Sequence, residues 1–355
     1  MRNRRVLIWS KSISDLLDGN AYGIGVQLYF WAKTFIGHDW RVTTFTNHRS
    51  FCYESIFFKH ISRWSNLEII HEWLSILWIL TVLRPKLVIS RGAGRVVFPL
   101  AVISKLFRIK FVLFSASDTD FEIGRELVAG SPINRLLFQK AVKRVNYVVT
   151  QNKAQHDALL QNYCKESIIL PNIWIANFST KKEKRYDAIW VANLRPLKRA
   201  EWFVRLAKGL PQYRFVIVGG VNSKTYCNQI EEEAKGISNL SFLGAKAFEE
   251  VNALIAESRL LVCSSEFEGF PNTFLQAWSY EVPVVSTVNP SEVITEYGLG
   301  DVARSEPDLQ TSVQKLLASD TLYDQCKKHI KDYFIAHHDS ERAYSNIINM
   351  INDSK

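Results

Sequence analysis

Short runs of Val, Ile, Leu and Phe recur along the whole chain, and each is followed by a longer stretch with helical spacing. This alternation restricts the fold more than any other feature. Parallel strands joined by crossover helices are covered on both faces, so they read as nearly continuous apolar runs. In the first half, strands are predicted at 5–10, 41–46, 87–90, 110–115 and 146–150, and helices at 25–36, 67–83, 96–107, 132–143 and 153–162. In the second half, strands are predicted at 187–192, 213–218, 240–243, 259–264 and 283–287, and helices at 199–209, 225–236, 247–257, 272–280 and 308–318. The pattern predicts an α/β protein of two successive doubly wound units. Leu170-Pro171-Asn172 ends the first, and the polar run 179–184 reads as a linker, giving domains at 1–178 and 179–335. The tail reads as helical from about 321 to 352, and a last segment at 336–355 is expected to pack back toward the first domain. Its packing residues, with those just before it, are Tyr333, Phe334, Tyr344, Ile347, Ile348 and Ile351.

The 355 residues are 47% hydrophobic and 22% charged, enough to bury two cores. Charge is unevenly placed. Residues 1–173 hold 23 Lys/Arg against 12 Asp/Glu, a net +11, while residues 174–355 hold 21 against 23, a net −2. A basic half beside a near-neutral one points to an anionic surface or substrate, a description that fits acidic phospholipid, polyphosphate and nucleic acid alike. Five scattered cysteines without a CxxC pair favour a reducing compartment. The start, Met-Arg-Asn-Arg-Arg, leads into an apolar run (Val6-Leu7-Ile8-Trp9) too short for a signal-peptide core, so a cytosolic location is predicted. The stretch 67–83 is the most membrane-like, yet Glu68, His71, Glu72, Ser75 and Thr81 interrupt it. A spanning helix needs about 20 mostly apolar residues. Two readings stay open: a buried core helix, or a helix lying at a bilayer interface with Trp73 and Trp78 near the headgroups.

Open parallel sheets bind ligands where strands lead into helix N-termini, so chemistry is sought in those loops. The richest is the segment 262–277. There a strand ends, Gly269 permits a tight turn, and Pro271 suits a first helical position. The amides of Asn272 and Thr273 would then face a phosphate or sugar oxygen, Glu268 would accept from sugar hydroxyls, and Gln276 would reach the ligand from the next turn. After the first strand of the second half comes Asn193-Leu194-Arg195-Pro196-Leu197-Lys198. Lys198 places a positive charge in a loop of the kind that meets phosphate. Gly219-Gly220 ends another strand and allows close approach of a phosphate or nucleoside. His38, in Gly37-His38-Asp39-Trp40, reads as a turn residue. In the first half, Ser115-Ala116-Ser117-Asp118-Thr119-Asp120 follows a strand, and its Asp-x-Asp offers a competing site for a metal-held diphosphate. The glycines at 19, 23 and 25 do not follow GxGxxG.

The segment Glu268-Gly269-Phe270-Pro271-Asn272, followed by Pro283-Val284-Val285, resembles the signature of family 4 of the retaining, GT-B-fold glycosyltransferases. Gln276 stands where that signature has a second glutamate, and Glu281 where a glycine is usual. The resemblance implies two Rossmann-like domains facing each other across a cleft, the first for an acceptor and the second for a nucleotide-sugar. It implies that Glu268 contacts the donor sugar and position 276 the ribose. The diphosphate would be met by Lys198 with an arginine; Asn193 occupies the usual arginine position, and Arg195 is the substitute. The run 242–246, with Lys246, resembles the loop around the nucleobase, and Gly23 and Gly25 the loop closing over the diphosphate. Asp118 or Asp120 would face the donor sugar or acceptor hydroxyl, with Ser117 and Arg91 on the acceptor side. The implied reaction is retaining transfer without a metal or other cofactor, to a glycan or polyprenyl-linked glycolipid at the inner face of the plasma membrane, in bacterial surface polysaccharide synthesis. Nucleic acid is not expected as a partner. The alternatives are a nucleotide-sugar epimerase of the same fold and a catalytically silent nucleotide-sugar-binding partner.

Overall fold

A computed structural model describes residues 4–17, 23–46, 49–60, 68–126, 132–179, 182–221, 223–268 and 270–353. The chain divides into two compact units, Met1–Ile173 with Ser340–Lys355, and Trp174–Asp339. In the first unit the strands are β1 (Arg5–Ile8), β2 (Arg41–Thr46), β3 (Phe51–Tyr53), β4 (Ile56–His60), β5 (Leu87–Arg91), β6 (Lys110–Phe114), β7 (Tyr147–Thr150) and β8 (Ile168–Ile169). They form one sheet in the order β3-β4-β2-β1-β5-β6-β7-β8, parallel except for β3. Its helices are α1 (Ser12–Leu17), α2 (Gly23–Gly37), α3 (Glu68–Leu83), α4 (Val97–Leu106), α5 (Pro132–Val142) and α6 (Lys153–Tyr163).

The second unit carries β9 (Tyr186–Val191), β10 (Phe215–Val218), β11 (Leu240–Phe242), β12 (Ser258–Cys263), β13 (Val284–Ser286) and β14 (Gly300–Val302). Their order is β11-β10-β9-β12-β13-β14, parallel throughout. The helices are α7 (Ala200–Gly209), α8 (Lys224–Ala234), α9 (Phe248–Ala256), α10 (Asn272–Trp278), α11 (Val293–Tyr297), α12 (Glu306–Ala318) and α13 (Asp320–His337). Helix α14 (Ser340–Asp353) returns to the first unit, where Tyr344 packs edge-on to Phe35 and receives the indole N–H of Trp40 at 2.9 Å. His38 sits in the turn after α2, stacked on Tyr344 with ring centroids 3.7 Å apart. In each sheet the winding reverses once, between β1 and β5 and between β9 and β12. Those reversals leave the strand-end crevices in which ligands of open α/β sheets sit.

The division falls at 173/174, not at 178, for a visible reason. The buried Gln27 side chain brackets Ile173, donating to its carbonyl at 3.1 Å and accepting from its amide at 3.0 Å. Trp174 already belongs to the other unit: its amide donates to the His338 carbonyl at 3.0 Å, and Phe178 packs edge-on to Phe334. Likewise the last segment starts at Ser340 rather than 336, because α13 runs unbroken to His337. The predicted single tail helix is therefore two, parted at His338, which is buried beside Phe270, Trp278 and Tyr333. Four strands, β3, β4, β8 and β14, and two short helices, α1 and α11, lie outside the sequence-based expectations. Among the described residues no helix is long and apolar enough to cross a membrane.

Two measurements check these contacts. Gln27→Leu leaves both main-chain groups of Ile173 without their buried partner, and thermal denaturation should show a loss of ~3 kcal/mol. Lys184 donates its ammonium to the carbonyls of Ala256 and Ser258 at 2.9 and 2.8 Å, and burial pushes its pKa down to about 8, with nearby Lys327 adding to the effect. The unfolded chain then holds more protons than the folded one from about 8 up to the ordinary lysine value. This group therefore makes stability rise with pH across that window, and Lys184→Met should flatten the rise.

Candidate active site

The residues that converge in the second unit lie on the two loops flanking the reversal between β9 and β12. Trp190 of β9 pairs in register with Val262 of β12, so the loops leave neighbouring strand ends. The β9 loop tightens into a 3-10 turn at Pro196–Lys198, where Pro196 supplies a fixed φ and has no amide to leave unpaired. Arg199 follows in the left-handed conformation, φ 49°, and swings the chain into α7. The turn buries Lys198 and aims its ammonium at Glu268 Oε1 on the β12 loop, forming an ion pair. Ser265 Oγ donates to the same carboxylate oxygen at 3.1 Å.

Ser264 fastens the two loops together. Its hydroxyl lies 2.9 Å from the Lys198 carbonyl and 2.8 Å from that of Arg199, and it accepts the buried indole N–H of Trp190 at 3.0 Å. Glu266 adds a main-chain bond to the Leu197 carbonyl at 2.9 Å and an ion pair with Arg199 at 3.4 Å. Thr287, just past β13, donates to the Ser265 carbonyl at 2.6 Å. The sequence analysis named Lys198 and Glu268 but missed Ser264, Ser265 and Arg199. The signal available was the Ser-Ser pair directly after the strand.

The other named residues fall as follows. Arg195 and Asn193 are exposed on the β9 loop. Gly219 ends β10 where a Cβ would meet the Ala192 carbonyl at 1.9 Å, so its bareness serves the packing of β10 against the β9 loop. Gly269 lies outside the described residues, while Phe270 packs beside Trp278 and His338. Pro271 is not the first helical residue: its ψ of 121° is extended, and Asn272 and Thr273 open α10. Gln276 is buried and donates to Asn252 Oδ1 of α9 at 2.7 Å. Lys246 is exposed, 3.8 Å from Glu250 one turn on.

In the first unit a separate polar cluster occupies the ends of β5, β6 and β7. Asp120 is buried and accepts from the amides of Ala116 and Ser117 at 2.7 and 3.2 Å. Burial raises its pKa, opposed by those amides and by Arg91. Arg91 donates to Asn172 Oδ1 at 2.6 Å, and burial pushes it down to about 10, offset in part by Asp120. Asp118 instead accepts from Asn152 at 3.0 Å and Gln155 at 2.7 Å at the start of α6. Ser117 Oγ contacts Thr119 Oγ1 at 3.2 Å. The two carboxylates of the Asp-x-Asp thus serve different partners. Among the described residues no three His, Cys, Asp or Glu side chains cluster as metal ligands. Gly23 opens α2; at Gly25 a Cβ would meet the Ser12 carbonyl at 2.3 Å, so that glycine lets α1 and α2 touch. Residues 19–22 lie outside the described residues.

Residues 185–319, most of the second unit, match the family Glycosyl transferases group 1. Over that stretch the chain is similar to the group 1 glycosyltransferases. The chain is 24% identical over 256 residues to an uncharacterized glycosyltransferase of Methanocaldococcus jannaschii, covering 64% of this chain and 62% of that one. It is 25% identical over 190 residues to the O-antigen chain mannosyltransferase RfbU of Salmonella typhimurium, covering 51% and 54%. It thus spans less than two thirds of the length of both curated relatives. In fold it is similar to the sucrose-phosphate synthase of Thermosynechococcus elongatus, with a TM-score of 0.71 at 12% identity over 99% of this chain and all of that one. Its fold is GT-B.

Ser264→Ala should leave the Trp190 indole N–H buried without its acceptor and free the Lys198 turn. Thermal denaturation is expected to show a loss of about 1–3 kcal/mol.

Proposed function

We propose that the chain is a glycosyltransferase that moves a glycosyl unit from a nucleoside diphosphate sugar to an acceptor hydroxyl with retention of anomeric configuration. The observation that carries the reading is a buried lysine ammonium and a carboxylate meeting at the strand reversal of the family-matched unit. As the bond from the sugar's anomeric carbon to the diphosphate breaks, its electron pair goes to the diphosphate oxygen. Lys198 meets that charge, joined by Arg195 from the same turn, so the reading assigns no step to a metal. Glu268 accepts from hydroxyls of the donor sugar, with Gln276, Gly219 and Lys246 on the nucleoside side. A leaving-phosphate oxygen takes the acceptor proton on the face it departs from, as the new bond forms. Asp118, Asp120, Ser117 and Arg91 of the first unit are assigned to the acceptor.

The acceptor we favour is a glycan or polyprenyl-linked glycolipid of bacterial surface polysaccharide synthesis, worked on at the cytoplasmic face of the membrane. Two observations support it: the first unit's net charge, and the O-antigen role in the name of one relative. Nucleoside diphosphate sugars assayed by thermal shift and by nucleotide release test the whole reading. Lys198→Ala should lower kcat by roughly 10²- to 10³-fold with a smaller change in donor binding. Unchanged turnover in that variant would refute the assignment of Lys198. Donor consumed without acceptor would indicate an epimerase, and donor bound but never cleaved a silent binding partner. The product's anomeric configuration, read by NMR, decides retention.

A further inference from the structure

Helix α3 is apolar on two sides but buries only one. Ile76, Ile79 and Leu80 are buried in the first unit's core cluster with Leu7 and Phe45. The opposite side presents Leu74, Leu77, Trp78 and Val82, which are 59%, 39%, 55% and 52% exposed. Their spacing at i, i+3, i+4 and i+8 makes one continuous stripe. Within it, Thr81 turns its hydroxyl back to the Leu77 carbonyl at 2.7 Å. Beside it, Lys59 of β4 places its ammonium 3.8 Å from the centroid of the Trp78 ring. Phe57, two residues earlier on the same strand face, is 51% exposed.

Charge and apolar exposure coincide in this unit. Of 20 large exposed apolar side chains among the described residues, 15 belong to the first unit, which also carries the basic excess. Arg84 and Lys86 are exposed immediately after α3. Glu72, on its first turns, is held 3.1 Å from Arg95. An apolar stripe bordered by cations matches a surface that is apolar beneath an anionic layer. We propose that the outward face of α3, with Phe57 and Lys59, is the surface on which this protein seats itself on an anionic bilayer, the helix lying in the plane of the interface. The proposal rests on the membrane-bound acceptor reading above and names the element that makes the contact.

The test is co-sedimentation of the full chain with vesicles of equal parts phosphatidylcholine and phosphatidylglycerol, at low salt. Wild type should bind, and the double variant Leu77→Ser, Trp78→Ser should lose on the order of tenfold in partitioning. Ile335→Ser, which removes an exposed apolar side chain of the second unit, should bind like wild type. Trp78→Phe should still bind but lose part of the quenching of tryptophan emission by brominated lipid. Circular dichroism melts confirm that the variants remain folded. If the double variant binds as tightly as wild type, this surface is wrong and membrane binding remains. If wild type ignores the vesicles, or forms a dimer that the double variant dissolves, the bilayer proposal fails. Stabilisation by nucleotide-sugars reports the donor reading separately in every case.

Discussion

One serine hydroxyl holds the site in shape. Ser264 sits just past β12 and bonds the carbonyls of Lys198 and Arg199, while taking the indole N–H of Trp190 from β9. Without such a tie, two loops leaving neighbouring strands at a winding reversal would each be set only by their own turn chemistry. With it, the 3-10 turn carrying Lys198 is fixed to the loop carrying Glu268. A left-handed Arg199 is tolerable because its carbonyl is among the groups tied down. The bonds are short-range, yet they convert two mobile connections into one surface. Placement of this kind is what transition-state stabilisation by fixed charges requires.

The pairing of Lys198 with Glu268 has a second consequence. A lysine that is 8% exposed pays for its burial unless an anion accompanies it, and the carboxylate supplies one when no ligand is present. A bound diphosphate brings more negative charge than one carboxylate does. In the proposed reaction it therefore competes for the ammonium and releases Glu268 toward sugar hydroxyls. Ser265 keeps that carboxylate in place through the exchange, since its hydroxyl bonds the same oxygen that meets Lys198. The ion pair is then a resting arrangement of the groups that later divide between leaving group and sugar.

Much of this was legible in the sequence, and what was not has physical reasons. The ten predicted strands all correspond to strands of the two sheets, and most of them are runs of residues buried on both faces; the edge strand β11 is not. Glu268 and Lys198 stood out because turn residues and a charge sat directly after such runs. The edge elements did not. Strand β3 is Phe-Cys-Tyr, three exposed residues and too short to register as a run, and β14 is Gly-Asp-Val, with no apolar run at all. The break at His338 depends on the aromatic cluster around it, which is assembled from distant residues. Gln276 was read as facing a ligand because its spacing from Glu268 is right. In the fold its amide also donates to Asn252, a partner 24 residues away that no local pattern announces.

The segment 67–83 shows why periodicity alone left two readings open. Apolar residues at i, i+3 and i+4 identify a helix face that leaves water, but a helix apolar all round gives the same signal for a core and for an interface. In the fold the two halves of the stripe part company: Ile76, Ile79 and Leu80 enter the core, while Leu74, Leu77, Trp78 and Val82 stay outside it. Folding of this unit accounts for the first set only. Keeping four large apolar side chains in water gains the fold nothing, so their retention beside Lys59, Arg84 and Lys86 is a cost that an external apolar, anionic surface would offset. The same unit carries the acceptor-side cluster in the proposed reaction. Anchoring it at a bilayer would turn the search for a lipid-linked acceptor from three dimensions into two.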